Sequence, residues 1–140
     1  MPVIVDTPVW SIMLRRPRKR LSPRERPISA ELRDLITEGD VVLLGPIRQE
    51  VLTGIRSDSD FETLRAHLAH FLDEPLGSHD YEEAARCHNR CRMQGVQGSP
   101  VDFLLCAAAI HRGIPVFTTN LDFRRYAKHL PVTLYEMESG

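Results

Sequence analysis

Apolar residues follow two rhythms along this chain. Short β-branched and aliphatic runs, Val3-Ile4-Val5, Val41-Val42-Leu43-Leu44 and Ile114-Pro115-Val116-Phe117-Thr118-Thr119, read as buried strands. Val132-Thr133-Leu134-Tyr135 reads as a last one. Between them, apolar positions recur every three or four residues, the spacing of amphipathic helices. The first such stretch is residues 9–14, with Trp10, Ile12, Met13 and Leu14. A second, residues 30–38, has Ser29 as its expected cap, Leu32, Leu35 and Ile36 on one face, and Gly39 as its stop. Pro46 opens a third helix carrying Ile47, Val51, Leu52 and Ile55. Ser59 or Asp60 is expected to cap a longer one, with Phe61, Leu64, Leu68, Phe71 and Leu72 on one face.

Ser78 is expected to cap a helix over residues 80–93, and residues 74–77 are a brief link or short strand. Ser99-Pro100-Val101-Asp102 has a cap, a first-turn proline and an acid at the positive helix end. The residues that follow, 103–110, are almost all apolar, so this helix should be central, and Gly113 ends it. Residues 121–130 predict a last short helix. Strands alternating with helices imply an α/β domain, a three-layer arrangement with a mostly parallel central sheet flanked by helices. No linker interrupts the pattern, so a single domain over residues 1–140 is expected.

Composition narrows the setting. Hydrophobic residues make up 42% and charged residues 26%, ordinary values for a globular chain. No apolar run is long enough for a membrane span, and Met1-Pro2-Val3 does not resemble a signal peptide. Three cysteines form no disulfide framework, so the expected home is the reducing cytoplasm. The net charge of −1 does not announce a nucleic-acid binder, but its distribution is uneven. Arg15-Arg16-Pro17-Arg18-Lys19-Arg20, with Arg24 and Arg26 behind it, is a basic, proline-broken segment expected as a loop. Lys19 and Lys128 are the only lysines, and the arginines that supply the rest suit bidentate contact with phosphate.

The acids fall at informative places. Asp6 ends the first strand, and Asn120 with Asp122 lies just past the third. Sites in open parallel sheets form beyond the carboxyl ends of strands. Asp102 starts the central helix and Glu50 lies in the first turns of another, so the fold alone can gather these acids. Each acid by itself is equally a helix cap or an exposed side chain. Gathered, they need protonation or a cation: two unit charges about 4 Å apart repel by about 4 kcal/mol at an effective dielectric near 20. Oxygen-only ligands select Mg²⁺ or Mn²⁺, ions that serve phosphate chemistry.

Four stretches resemble the motifs of PIN-domain ribonucleases, and most closely the VapC-type toxins of type II toxin–antitoxin pairs. They are Val3-Ile4-Val5-Asp6-Thr7-Pro8-Val9-Trp10, Gly45-Pro46-Ile47-Arg48-Gln49-Glu50-Val51, Ser99-Pro100-Val101-Asp102-Phe103-Leu104-Leu105 and Val116-Phe117-Thr118-Thr119-Asn120-Leu121-Asp122-Phe123. They stand in the family's order over residues 3–135. The resemblance implies a PIN-like fold and a catalytic set of Asp6, Glu50, Asp102, Asn120 and Asp122. Asp6, Asp102 and Glu50 would hold Mg²⁺, with Mn²⁺ able to substitute. Thr7, Thr118, Arg15 and Arg18 would contact substrate. The fourth corner is open between Asn120, where many relatives have Asp, and Asp122. Pro8 stands where relatives often have Ser or Asn. The implied activity is hydrolysis of phosphodiester bonds in structured RNA, tRNA or rRNA, by metal-activated water. The implied partners are a VapB-type antitoxin, for which the helix with Trp10, Ile12, Met13 and Leu14 is a candidate surface if it is not core, and a second copy of the toxin.

Other chemistries fare worse. Cys87 and Cys91 flank His88, and His111 lies elsewhere, but no second pair completes a zinc site; Cys106 reads as core. An aspartyl phosphatase would want an Asp where Pro8 stands. There is no phosphate-binding glycine loop and no nucleophile–histidine pairing. A non-catalytic PIN-like module for RNA binding or assembly is the remaining alternative.

Overall fold

The computed structural model describes residues 1–137. Residues 138–140, at the end of the single-domain expectation, lie outside the described residues. Strand β1 is Val3–Val5, β2 is Val41–Val42 and β3 is Val116–Phe117. They form one parallel sheet in the order β2-β1-β3, with Val3 opposite Val41 and Val5 opposite Phe117. Isolated bridges, Leu43 to Asp73 and Val116 to Leu134, widen it. All three β1 residues are buried. Successive strand residues face opposite ways, so both faces of the sheet are covered. The architecture is the α/β arrangement expected.

Seven α-helices surround the sheet among the described residues: α1 (Thr7–Leu14), α2 (Glu25–Thr37), α3 (Gly45–Leu52), α4 (Asp58–Leu68), α5 (Ser78–Met93), α6 (Pro100–Arg112) and α7 (Asp122–Tyr126). Helix α6 begins as expected. The Ser99 hydroxyl accepts the Asp102 N–H at 3.1 Å, Pro100 opens the first turn, and Gly113 ends the helix at φ +64°. Its residues 103–109 are all buried. Because α6 leads through Gly113 into β3, it runs back along the sheet. Its first turn therefore stands at the carboxyl edge of the strands and its last turn at the opposite edge.

Several expectations shift. Helix α2 starts at Glu25, inside the segment expected as loop, because Ser22 and Glu25 cap each other. The Ser22 hydroxyl accepts the Glu25 N–H at 3.1 Å, and the Glu25 carboxylate accepts the Ser22 N–H at 3.0 Å. Ser29, the expected cap, is a buried interior residue. The basic segment also holds a 3₁₀ turn, Arg18–Arg20. Helix α4 is capped by Ser57, which takes the Asp60 N–H, rather than by Ser59 or Asp60. Leu72 lies past the end of α4 and is 91% exposed. Helix α5 starts at Ser78, with Gly77 rather than Ser78 as cap. The second and third strands are shorter than their apolar runs, and the last is a single bridge. Ladder length depends on what β1 can pair, and β1 has three residues.

Val9, Trp10 and Ile12 of α1 are core, while Met13 and Leu14 are half-buried against it. The Trp10 indole N–H donates to the Val5 carbonyl at 3.2 Å, and its ring meets Phe71 edge-on at 5.1 Å. Arg48 fixes α3 through its ion pair with Asp73 at 2.8 Å and a bond to the Leu68 carbonyl at 2.8 Å. Among the described residues, no helix is long and apolar enough to cross a membrane.

Candidate active site

The chain leaves β1 at Asp6, reaches Glu50 in the second turn of α3, and enters α6 at Asp102. These three acids line one open cleft of about 440 Å³ with Thr7, Pro8, Thr53 and Asn120. The sheet's carboxyl edge supplies Asp6 and Asn120. The antiparallel run of α6 against β3 supplies Asp102. Glu50 stands in the second turn of its short helix, as the sequence suggests.

Asp6 caps α1. Its Oδ1 accepts the Thr7 N–H at 2.8 Å and its Oδ2 accepts the Thr118 hydroxyl at 2.7 Å. Although Asp6 is only 4% exposed, its partners are neutral donors. Burial pushes its pKa from an ordinary 3.8 up to about 6, further raised by the Asp102 and Glu50 charges and opposed by the Thr118 and Thr7 bonds. Thr7 also donates its hydroxyl to Glu50 Oε1 at 2.6 Å, tying α1 to α3. Thr118 accepts the Asn120 N–H at 3.0 Å, so one hydroxyl orders both Asp6 and the turn after β3.

Asn120, not Asp122, lines the cleft at the fourth corner. Its Oδ1 accepts the Asp122 N–H at 3.0 Å, steadying the start of α7. Asp122 is half exposed, and Arg125 lies 4.0 Å away. Arg15 and Arg18 are not among the residues that line the acid cleft. Arg15 borders a depression with Ile55, Arg56 and His67, whereas Arg18 lines a basic groove of about 470 Å³ with Lys19, Arg26 and Arg33.

Two contributors escaped the sequence. The Tyr126 hydroxyl donates to Asp102 Oδ2 at 2.7 Å, and Thr53 lines the cleft. Burial and the adjoining Asp102 carboxylate raise the Tyr126 pKa, keeping the phenol a donor. The available signal was slight: Tyr126 falls one helical turn after Asp122, in a segment where an aromatic residue reads as core.

The site's chemistry follows from its donors. Carboxylates of Asp6, Glu50 and Asp102, with the Asn120 amide at the rim, offer oxygen alone, which suits a hard divalent cation. Among the described residues, no basic side chain lines the cleft to neutralise these acids. A second group of metal-capable side chains, His79, Asp80 and His111, sits at the far end of α6. There the Asp80 carboxylate already accepts bonds from Gly77 N, His111 Nδ1 and two Arg112 nitrogens. Those four contacts use the carboxylate's lone pairs, so this group is an ion-paired knot with no room for a metal at Asp80. Cys87, Cys91 and Cys106 are free and buried, His88 stacks on Phe103, and none of them belongs to the His79, Asp80 and His111 group.

The family model for the PIN domain matches residues 3–129. The chain belongs to the PIN domain family. PIN domains are generally nucleases and usually use divalent metals. Similar solved structures include FitAcB from Neisseria gonorrhoeae, with TM-score 0.73, 21% identity and coverage of 96% of each chain. VapBC2 from Rickettsia felis, bound to a DNA fragment from its promoter, has TM-score 0.72 and 14% identity, covering 99% of this chain and 100% of that one. VapBC-1 from nontypeable Haemophilus influenzae has TM-score 0.68 and 12% identity, covering 97% of this chain and 98% of that one. At these identities the likeness establishes the fold. No curated protein sequence matches the chain. The cleft of this PIN domain is lined from four separate stretches of chain, through Asp6, Glu50, Asp102 and Asn120.

Proposed function

We propose that this PIN domain is a Mg²⁺-dependent endoribonuclease and the toxin of a type II toxin–antitoxin pair. The observation that carries the proposal is the convergence of Asp6, Glu50 and Asp102 on one cleft that no basic side chain lines. The VapBC and FitAB complexes among its structural neighbours support the toxin assignment.

Asp6 and Asp102 hold the cation, and Glu50 completes the set; Mn²⁺ substitutes for Mg²⁺. When bound, the ion offsets the acids' charge and polarises the scissile phosphate. Glu50 orients the attacking water and accepts its proton, and Thr7 holds the Glu50 carboxylate for that task. Thr118 keeps Asp6 in place, and Asn120 shapes the far wall with Asp122 behind it. Arg15 and Arg18, with Lys19, Arg26 and Arg33 of the basic groove, steer the RNA backbone. An open cleft suits an exposed loop of structured RNA, tRNA or rRNA, as substrate. A VapB-type antitoxin neutralises the enzyme, a homodimer forms within the complex, and the pair acts in the cytoplasm.

The test is mapping of new RNA 5′ ends after brief induction of wild type and of Asp102→Asn, followed by cleavage in vitro with and without EDTA. The proposal predicts discrete ends in wild type alone, abolished by EDTA. Equal cleavage by both proteins would overturn it. RNA binding without metal-dependent cleavage would instead assign a non-catalytic RNA-binding module.

A further inference from the structure

Asp102, like Glu50, is a cleft acid held by a single side chain. Its Oδ2 takes the Tyr126 hydroxyl at 2.7 Å, while no donor among the described residues reaches Oδ1. Both oxygens of Asp6, by contrast, have protein donors. The Tyr126 ring is fully buried, 4.9 Å from the ring of Phe103 and 5.1 Å from that of Phe123. The three rings fix the direction from which the hydroxyl reaches Asp102.

The loop before α6 completes the arrangement. A Cβ at Gly98 would sit 2.2 Å from the Tyr126 hydroxyl and 2.7 Å from Cζ, distances no side chain tolerates. Only glycine admits this ring. The next residue, Ser99, caps α6 through the Asp102 N–H, so one loop governs both the backbone and the side chain of Asp102.

We propose that Tyr126 is the positioning residue of the cleft, holding Oδ2 of Asp102 so that Oδ1 is left free as a metal ligand, and that Gly98 is required to admit the Tyr126 ring. The proposal rests on the cation-binding reading of the cleft. Partners that orient a metal ligand contribute 10–100-fold in affinity in comparable sites, by order of magnitude. Without the hydroxyl, the Asp102 carboxylate loses the one side chain that fixes its rotamer. The metal-free fold then changes little, because a phenyl ring fills the same space.

Mn²⁺ binding by calorimetry tests this on wild type, Tyr126→Phe and Gly98→Ala. Tyr126→Phe is expected to weaken Mn²⁺ binding about 10–100-fold, with near-ultraviolet circular dichroism like wild type. The Mn²⁺ concentration for half-maximal RNA cleavage should rise by a similar factor, with a maximal rate close to wild type. A merely structural role would not produce that split. Gly98→Ala, which displaces the ring, should reproduce the affinity loss; if it fails to fold, the isosteric Tyr126→Phe decides the matter alone. Wild-type Mn²⁺ affinity in folded Tyr126→Phe would overturn the positioning role and leave the nuclease reading intact. A wild-type protein that binds no Mn²⁺ would overturn both.

Discussion

The two ends of α6 bring carboxylates into opposite electrostatic company. At its last turn, buried Asp80 meets the Arg112 guanidinium, a His111 nitrogen and the Gly77 N–H, and Arg112 also pairs with Glu74 at 3.2 Å. The Arg112 bonds hold the Asp80 pKa well below the ordinary carboxylate range, against the opposing effect of burial. At its first turn, about 15 Å along the helix from Arg112, Asp102 shares a cleft with Asp6 and Glu50. There the buried acid Asp6 is pushed up rather than down. One helix thus carries a balanced charge cluster at one end, and at the other an imbalance that a proton on Asp6 or an added cation relieves. The difference separates an ion-paired cluster from the proposed active site more clearly than residue type does, because both ends are rich in metal-capable side chains.

The comparison breaks most severely if Asp80 loses its guanidinium. Arg112→Met leaves a fully buried carboxylate with His111, a backbone donor and His79 at 3.8 Å, and should cost about 3–5 kcal/mol in urea unfolding. A loss under 1 kcal/mol would mean the knot is not structural.

The opposite sign is expected at the acid end. Unfolded Asp6 releases its proton near 3.8, whereas folded Asp6 retains it to about 6. Between those values the folded state holds more protons, so stability falls as pH rises, and above them the penalty is complete. A rise from 3.8 to about 6 corresponds to about 3 kcal/mol. In EDTA, Asp6→Asn should therefore be more stable than wild type by up to that amount at pH 8. The gain should shrink below pH 6 and vanish below pH 4. Unfolding free energies at both extremes check the prediction, and a destabilised Asp6→Asn at pH 8 would contradict it.

Ser99→Ala probes the scaffold of the acid end rather than its charge. Loss of this cap should cost about 1 kcal/mol, visible as a lower unfolding midpoint. The smallest expected effect concerns the basic groove. Arg26→Ala and Arg33→Ala should each reduce the slope of log binding constant against log salt by about 0.7 per lost contact with single-stranded RNA, and leave thermal stability nearly unchanged. Unaltered slopes would take the groove out of RNA binding.

Much of the acid end was legible in the chain. Val3-Ile4-Val5 ending at Asp6, and Ser99-Pro100 ahead of Asp102, are local signals with local causes: a buried strand ends at a cap, and a proline enters a first turn. The knot was not legible, because Asp80 and Arg112 are 32 positions apart and nothing in their neighbours announces the pairing. Tyr126 was missed for a related reason: its ring is ordinary core, and only its hydroxyl matters to the cleft. The start of α2 was obscured by prolines and arginines that outweighed the Ser22–Glu25 box. Strand lengths were overread because an apolar run records burial, whereas a ladder requires a partner in register.

Thermal unfolding of wild type, Asp102→Asn and Arg112→Met at pH 7.5, with EDTA and with saturating Mn²⁺, tests the central claim most directly. Mn²⁺ should raise the midpoint of wild type and of the weakened Arg112→Met by similar free energies, and have little effect on Asp102→Asn. Stabilisation of Asp102→Asn by Mn²⁺ equal to that of wild type would place the metal outside the acid cleft and contradict the account.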